Sequence, residues 1–273
     1  MERLVQNQAS LRLNATQLDR FAELGYLVLA EFLPSDLVGR LKSEVDRWVD
    51  TGLRARSIAS CVDPESFGPP PVMELEMEAH GELIGYPVLM TILAQLMGST
   101  FVFHHLHSDR RDPGSTGKEW HHDYEQDPQV DRAYTMVHTM HYLDGLDESM
   151  GGLAVLPGSH REVADKVARA HLGAAQLPGE VLIDRLPLGS TVLLHSALFH
   201  ARRPSPAGPG KPRYMIDSSY CEVGARWPAV KPYWRYMLTR ARDLGLDRGQ
   251  WPELFAEHHF AEYTKQSMGV ILS

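Results

Sequence analysis

Cysteine is almost missing from the 273 residues: Cys61 and Cys221 are the only two, and they are 160 positions apart. That rules out a disulfide scaffold, and without a CxxC pair a structural zinc site has no ligands of the usual kind. No apolar run approaches the roughly 18 residues a membrane-spanning helix needs, so no membrane is expected as a partner. Positive charge is also short, with 27 Lys and Arg against 35 Asp and Glu and a formal net charge of -8. This argues against a nucleic-acid backbone or an anionic lipid surface as the main partner. The first residues, Met1 to Asn7, lack the basic segment, apolar stretch and small-residue cleavage site of a secretory signal, and a cytoplasmic location is expected. What the chain does have is an ordinary hydrophobic share of 43%, enough for one domain with a full core.

The opening third reads mostly as helix. Leu18, Phe21 and Leu24 recur at helical spacing, with Asn14 or Thr16 as N-cap and Gly25 just past the end. Tyr26 to Leu29 is a short apolar strand. Pro34-Ser35-Asp36 then opens a second helix whose Leu37, Leu41, Val45 and Trp48 form one stripe. From Thr51 to Gly81 the periodicity fails, and Ser66 to Pro71, with three prolines, reads as a loop. Residues Pro87 to Met97 are helical again.

Short strands dominate from Phe101 onward: Phe101 to His107, Tyr134 to Leu143, Leu153 to Leu156, Val181 to Ile183, Thr191 to Leu194 and Tyr214 to Tyr220, divided by Gly and Pro turns. That many strands at such spacing indicate a sandwich or barrel. Arg161 to Gly173 reads as a polar helical insertion. The tail reads as two helices, Pro232 to Leu244 and Trp251 to Tyr263, packed outside the barrel or against a second copy in a homodimer.

Chemistry concentrates in Trp120-His121-His122-Asp123. On a strand, side chains alternate faces, so His121 and Asp123 project together while His122 points away. A further histidine from elsewhere would complete two imidazoles and a carboxylate on one face of a metal, the donor set of non-heme Fe(II) oxygenases. His195 and His200 both qualify by position. Glu125 is a rival carboxylate on the Asp123 face, and His160 ends a Pro-Gly-Ser-His turn with a structural role expected. His105-x-His107 also has same-face spacing, of the kind a cupin uses for two of its ligands. The other reading of those two is a place in the lining of a substrate pocket.

Four blocks in order carry a family resemblance: Trp120-His121-x-Asp123; Gly151-Gly152-Leu153-x-Val155-Leu156-Pro157-Gly158-Ser159-His160; Gly189 with an apolar strand leading to His200; and Arg213. Together with the helix, Gly-Tyr strand and second helix of the N-terminal part, they resemble the phytanoyl-CoA dioxygenase family of Fe(II)/2-oxoglutarate oxygenases, from about Thr16 to Tyr220. The family has Asn-Gly where this chain has Met150-Gly151. The resemblance implies a mainly β fold with flanking helices, built on a double-stranded β-helix, the jelly-roll of cupin-like proteins. In that frame a single domain spans 1-273, with a mostly helical flank over 1-100, the core over 101-222 interrupted by the insertion near 161-179, and a helical extension over 223-273.

The resemblance further implies that His121, Asp123 and His200, in preference to His195, hold Fe(II), and that Arg213 receives the far carboxylate of 2-oxoglutarate. A guanidinium suits that task because its planar fork binds a carboxylate at two points and stays charged when buried. Family members often have Ser or Thr two residues after the last histidine to support that carboxylate, whereas Ala201, Arg202 and Arg203 follow His200 here. Either another hydroxyl, such as Thr139, assists Arg213, or an extra arginine such as Arg202 meets an anionic substrate. The implied reaction consumes O2 and 2-oxoglutarate, releases succinate and CO2, and hydroxylates or otherwise oxidises a small metabolite, with one of specialised biosynthesis expected. Asp123 itself favours hydroxylation over halogenation, since related halogenases have a small residue there. A cupin-like metal enzyme independent of 2-oxoglutarate and a non-catalytic ligand-binding jelly-roll are the alternatives.

Overall fold

The computed structural model describes residues 12–68, 70–126 and 132–264. Two antiparallel sheets face each other. One has five strands in the order β1 (Tyr26–Leu29), β7 (Ser190–His195), β4 (Met136–Tyr142), β9 (Arg213–Glu222), β2 (Phe101–Arg111); the other has β3 (Lys118–His121), β8 (His200–Arg202), β5 (Leu153–Val155), β6 (Val181–Ile183). This is the expected jelly-roll. Seven helices flank it among the described residues: α1 (Ala15–Leu24), α2 (Ser35–Asp50), α3 (Leu53–Val62), α4 (Pro64–Phe67), α5 (Glu78–Ile84), α6 (Pro87–Met97) and α7 (Trp234–Asp243).

The helical stripe on α2 explains where the helices go. Leu41 and Val45 are fully buried, and Leu37 and Trp48 are 1% exposed. Each such side chain stabilises the fold by roughly 1.5–3 kcal/mol relative to leaving it in water. They join Leu89, Ile92 and Leu93 of α6 in a core against the outer face of the five-stranded sheet, to which β4 contributes Val137 and β9 contributes Ile216 and Tyr220. A second core lies between the sheets, with Met140, Tyr142, Leu153, Val155 and Val192. β4 is therefore buried on both faces along its whole length, which is why its polarity does not alternate. His138, Met140 and Tyr142 face the barrel interior, while Val137, Thr139 and His141 face the helices.

Three segments differ from the sequence expectation. Thr51 to Gly81 is not one loop: α3, α4, a 3-10 turn at Glu74–Glu76 and the start of α5 lie within it. Of the three prolines, Pro69 is outside the described residues. The stretch 161–179 has no α-helix; its regular pieces are 3-10 turns at Ser159–Arg161 and Ala170–Leu172, closed by local bonds such as Ala170 N–H to Val167 O and Gly173 N–H to Ala170 O at 2.9 Å each, and two of its carbonyls are taken by the Trp120–His122 segment. Trp120 N–H donates to Gly173 O at 3.0 Å and His122 N–H to Lys166 O at 3.0 Å. The tail has one helix, α7, while Trp251 to Tyr263 is turn and extended chain with a 3-10 turn at Glu257–His259. Its Ala261 N–H and Trp227 O bond at 2.9 Å, so the segment runs beside another strand-like piece in place of coiling.

Gly151 shows what the glycine motif is for. Its φ of +70° lies in the left-handed region, and a Cβ there would sit 2.4 Å from the Arg203 carbonyl oxygen. Strain and collision together predict that Gly151→Ala costs about 1–3 kcal/mol or more of stability. Urea denaturation checks this, and an unchanged midpoint would contradict it.

Candidate metal centre

β3 and β8 pair antiparallel with His121 directly opposite His200. Their imidazoles face each other with ring centroids 4.3 Å apart. β3 ends at His121, so Asp123 lies just beyond it, pinned by its N–H to Ser196 O at 2.7 Å. Its carboxylate still reaches the same side: Oδ1 is 3.8 Å from His121 Nε2 and Oδ2 is 3.3 Å from His200 Nε2. The ligand atoms of His121, Asp123 and His200 all lie within 4.8 Å of one another.

The tautomers suit a metal. His121 Nδ1 is 2.7 Å from Glu119 O and His200 Nδ1 is 3.0 Å from Leu198 O. A carbonyl only accepts, so each Nδ1 carries the hydrogen and each Nε2 presents a lone pair, the arrangement by which a backbone partner orients a ligating histidine. Burial, with the neighbouring His200, pushes the His121 pKa down to about 3. Asp123 is held well below the usual carboxylate range: burial opposes its charge, but His121 and His200 outweigh that. Two imidazoles and one carboxylate, with Asp123 the most exposed of the three at 28% of its side chain, make a donor set with room for further ligands on one side.

The rivals are occupied elsewhere. His122 faces outward, its Nε2 2.9 Å from Ala164 O. His195 stacks 6.3 Å from Tyr124 and takes Ala197 N–H on Nδ1. Glu125 is paired with Lys166 at 2.5 Å, and His160 bonds Ala22 O through Nε2. The 161–179 stretch thus backs the motif from outside, holding Trp120 and His122 by their backbones and by the Trp120 indole N–H on Ala175 O at 2.8 Å.

Arg213 is buried at 4% exposure and has no carboxylate in ion-pair contact among the described residues. Its Nε is buried without a partner, and its guanidinium lies 6.0 Å from the Tyr142 ring. A buried guanidinium left so is costly unless an anion completes it. Arg202 is beside it, with Nη2 on Thr116 O at 3.0 Å and Nε also unpartnered; burial, then Arg213, lowers its pKa to about 10.

Thr139 is not brought to Arg213. It faces the helices, and its hydroxyl is spent on Ser218 Oγ at 2.7 Å and His141 Nε2 at 3.0 Å. Strand alternation is the reason: Tyr142, three positions on, is on the interior face. Tyr142 is a hydroxyl-bearing side chain that the fold does place near Arg213, its ring 6.0 Å from the guanidinium, and the pattern of β4, buried on both faces, carried no signal for it. His105 and His107 are not joined at one metal either. His107 Nδ1 is bonded by Arg54 at 3.0 Å, whereas His105 clusters with His138 and Asp217.

Sequence comparison identifies the chain. The model of the phytanoyl-CoA dioxygenase (PhyH) family matches residues 21–206, well over half of it. The protein belongs to the phytanoyl-CoA dioxygenase family. By class it is a non-heme iron, 2-oxoglutarate-dependent oxygenase. No curated protein matches this PhyH-family chain. Among solved structures, its fold is similar to HygX from Streptomyces hygroscopicus, which has nickel and 2-oxoglutarate bound, with a TM-score of 0.60, 18% identity, and 81% of this chain and 93% of that one covered. AviO1 from Streptomyces viridochromogenes Tue57 gives 0.56 and 19%, covering 77% and 96%. SnoN, an α-ketoglutarate-dependent epimerase from nogalamycin biosynthesis, gives 0.55 and 16%, covering 76% and 80%.

The His138–Asp217 pair is a part of the interior that sequence reading missed. Nδ1 of His138 lies 2.9–3.0 Å from both carboxylate oxygens, and Nε2 is buried without a partner. Burial works against a charge on His138, but Asp217 wins and raises its pKa to about 9. Since the folded value exceeds the unfolded one, its stabilisation is complete below about pH 6.5 and is lost as pH climbs through about 9. The stability gap between wild type and Asp217→Asn should therefore narrow from about pH 6 to about pH 9.5 in denaturant titrations. A gap independent of pH would exclude the charged pair.

Proposed function

We propose that His121, Asp123 and His200 hold Fe(II), that Arg213 with Tyr142 receives the far carboxylate of 2-oxoglutarate, and that the enzyme oxidises a small metabolite of specialised biosynthesis. The observation that carries this reading is the co-occurrence of the three ligand atoms within 4.8 Å and a buried, unpaired Arg213 in the same barrel. Either alone has ordinary explanations. Their conjunction fits a metal and a dicarboxylate, because each site lacks what the other molecule brings.

Bound iron and 2-oxoglutarate would supply the oxidative chemistry, with O2 consumed and succinate and CO2 released. The chain's own residues position and protect. The Glu119 and Leu198 carbonyls fix the two imidazole planes, and Asp123 adds the one negative charge that a divalent ion needs in a buried place. Arg213 anchors 2-oxoglutarate at two points, which sets how its other end approaches the His121–His200 pair. The apolar wall of Met140, Leu153 and Val155 keeps bulk water from that end of the barrel. The small-molecule assignment is supported by the likeness in fold to enzymes whose names tie them to 2-oxoglutarate and, for SnoN, to nogalamycin biosynthesis.

Anaerobic addition of Fe(II) and 2-oxoglutarate to the protein should produce a weak visible charge-transfer band. Arg213→Ala should raise the 2-oxoglutarate concentration for half-saturation of that band by about 30-fold or more, the cost of truncating a buried charge pair. Arg213→Ala with wild-type affinity would remove Arg213 from the role. No band in iron-loaded wild type would remove the reading itself.

A further inference from the structure

The chain is acidic overall, yet two cations at the helical side of the barrel have no acid in ion-pair contact among the described residues. Arg54, on α3, has one bond, from Nη2 to His107 Nδ1 at 3.0 Å. Lys231 sits half-buried in the loop before α7, lining a small cavity with His104, His105 and Trp234, and its ammonium has neither hydrogen bond nor ion pair among the described residues. The charges of both are felt at His107, and that of Lys231 at His105.

Nearby acids are committed elsewhere. Asp217 is paired with His138 and Glu125 with Lys166. Asp109 is paired with Arg111. Glu74 is buried, accepts the Ser108 N–H on Oε1 at 2.7 Å, and is pushed toward its protonated form by that burial. Taking ammonium and guanidinium groups partly out of water without a counter-charge is unfavourable, so their juxtaposition calls for an anion from outside.

The Arg54 bond also fixes a tautomer. A guanidinium can only donate, so His107 Nδ1 is the acceptor and, in the neutral ring, Nε2 carries the hydrogen. No partner takes that hydrogen among the described residues. His107 and His105 are on the interior face of β2, shared with Asp217 and His138 of the neighbouring strands, and the charge of Asp123 is felt at His138.

We propose that Arg54, Lys231 and the His107 Nε2–H form a binding site for an anionic group of the substrate, a carboxylate or a phosphate, distinct from Arg213. The placement of the reacting carbon near the metal rests on the oxygenase reading; the anion site itself does not. Bound this way, the substrate's charged end lies on the β2 and α3 side, and its remainder extends past His138 toward the cluster of His121, Asp123 and His200. The substrate class is then an organic acid or a phosphorylated small molecule, and a neutral terpenoid or an amine without an acidic group is excluded.

Calorimetric titration of the full chain, loaded anaerobically with Fe(II) and saturated with 2-oxoglutarate so that Arg213 is filled, tests this with methylphosphonate and with acetate as probes. One saturable site for either probe is expected, and the preferred probe tells phosphate from carboxylate. Lys231→Met and Arg54→Gln should each weaken it about tenfold or more. Lys231→Arg should retain it, and the exposed Arg185→Gln should leave it unchanged. No saturable site in wild type, binding that 2-oxoglutarate abolishes, or full affinity in Lys231→Met and Arg54→Gln would each overturn the proposal. The visible band recorded on the same sample separates the two claims: its absence counts against the oxygenase reading, while the probe result stands for or against the anion site.

Discussion

The pairing of β3 with β8 is the constraint on which the rest depends. Hydrogen bonding between these two strands sets His121 opposite His200 and brings residues 79 positions apart into ring contact. A slip of one residue would turn His122 inward and leave the Trp120 indole facing the metal side. Register is secured from both flanks. β8 is held on its other edge by β5, with Val155 opposite His200, and β3, which would otherwise be an open edge, is covered by the irregular 161–179 stretch. A segment that reads as a mere insertion thus fixes the orientation of the site.

Charge placement is the second theme. A jelly-roll interior is a poor place for ions, and this one is arranged so that each buried charge has a task. Asp123 is held ionised beside the imidazoles of His121 and His200, and Asp217 favours the charged form of His138. Arg213 is left over, buried with a free Nε, and a carboxylate arriving with a ligand would complete it. The same accounting, applied on the β2 side, finds Arg54 and Lys231. An overall charge of -8 conceals this, because net charge sums a surface that the ligands never meet.

Much of the architecture was legible in the chain. The α2 stripe, the run of short strands and the four motif blocks led to a jelly-roll with flanking helices. Strand alternation separated His121 from His122 even though β3 stops short of Asp123. Where reading failed, the information was not local. Thr139 was matched to Arg213 without knowing which face of β4 looks inward, and β4, buried on both sides, shows no alternation to decide it. The 161–179 stretch has helical composition, but it closes into short 3-10 turns, and the carbonyls of Lys166 and Gly173 are taken by His122 and Trp120 from outside it. Helices α3 and α5 were masked by the prolines between them. Tyr142, Asp217 and Lys231 are unremarkable in sequence and acquire meaning only through their neighbours across strands and loops.

Among the described residues two clusters in the barrel offer metal ligands, His121–Asp123–His200 and His105–His138–Asp217, and the metal is proposed to occupy the first. Physical chemistry separates them: in the second, the imidazole of His138 is protonated and bonded to the carboxylate it would have to share with an ion. Anomalous diffraction at the iron edge from crystals loaded anaerobically with Fe(II) tests this most directly. One peak bounded by His121 Nε2, His200 Nε2 and an Asp123 oxygen, at about 2.0–2.2 Å from each, is the predicted result. A peak at His138 and Asp217 with the first cluster empty would contradict the account at its centre.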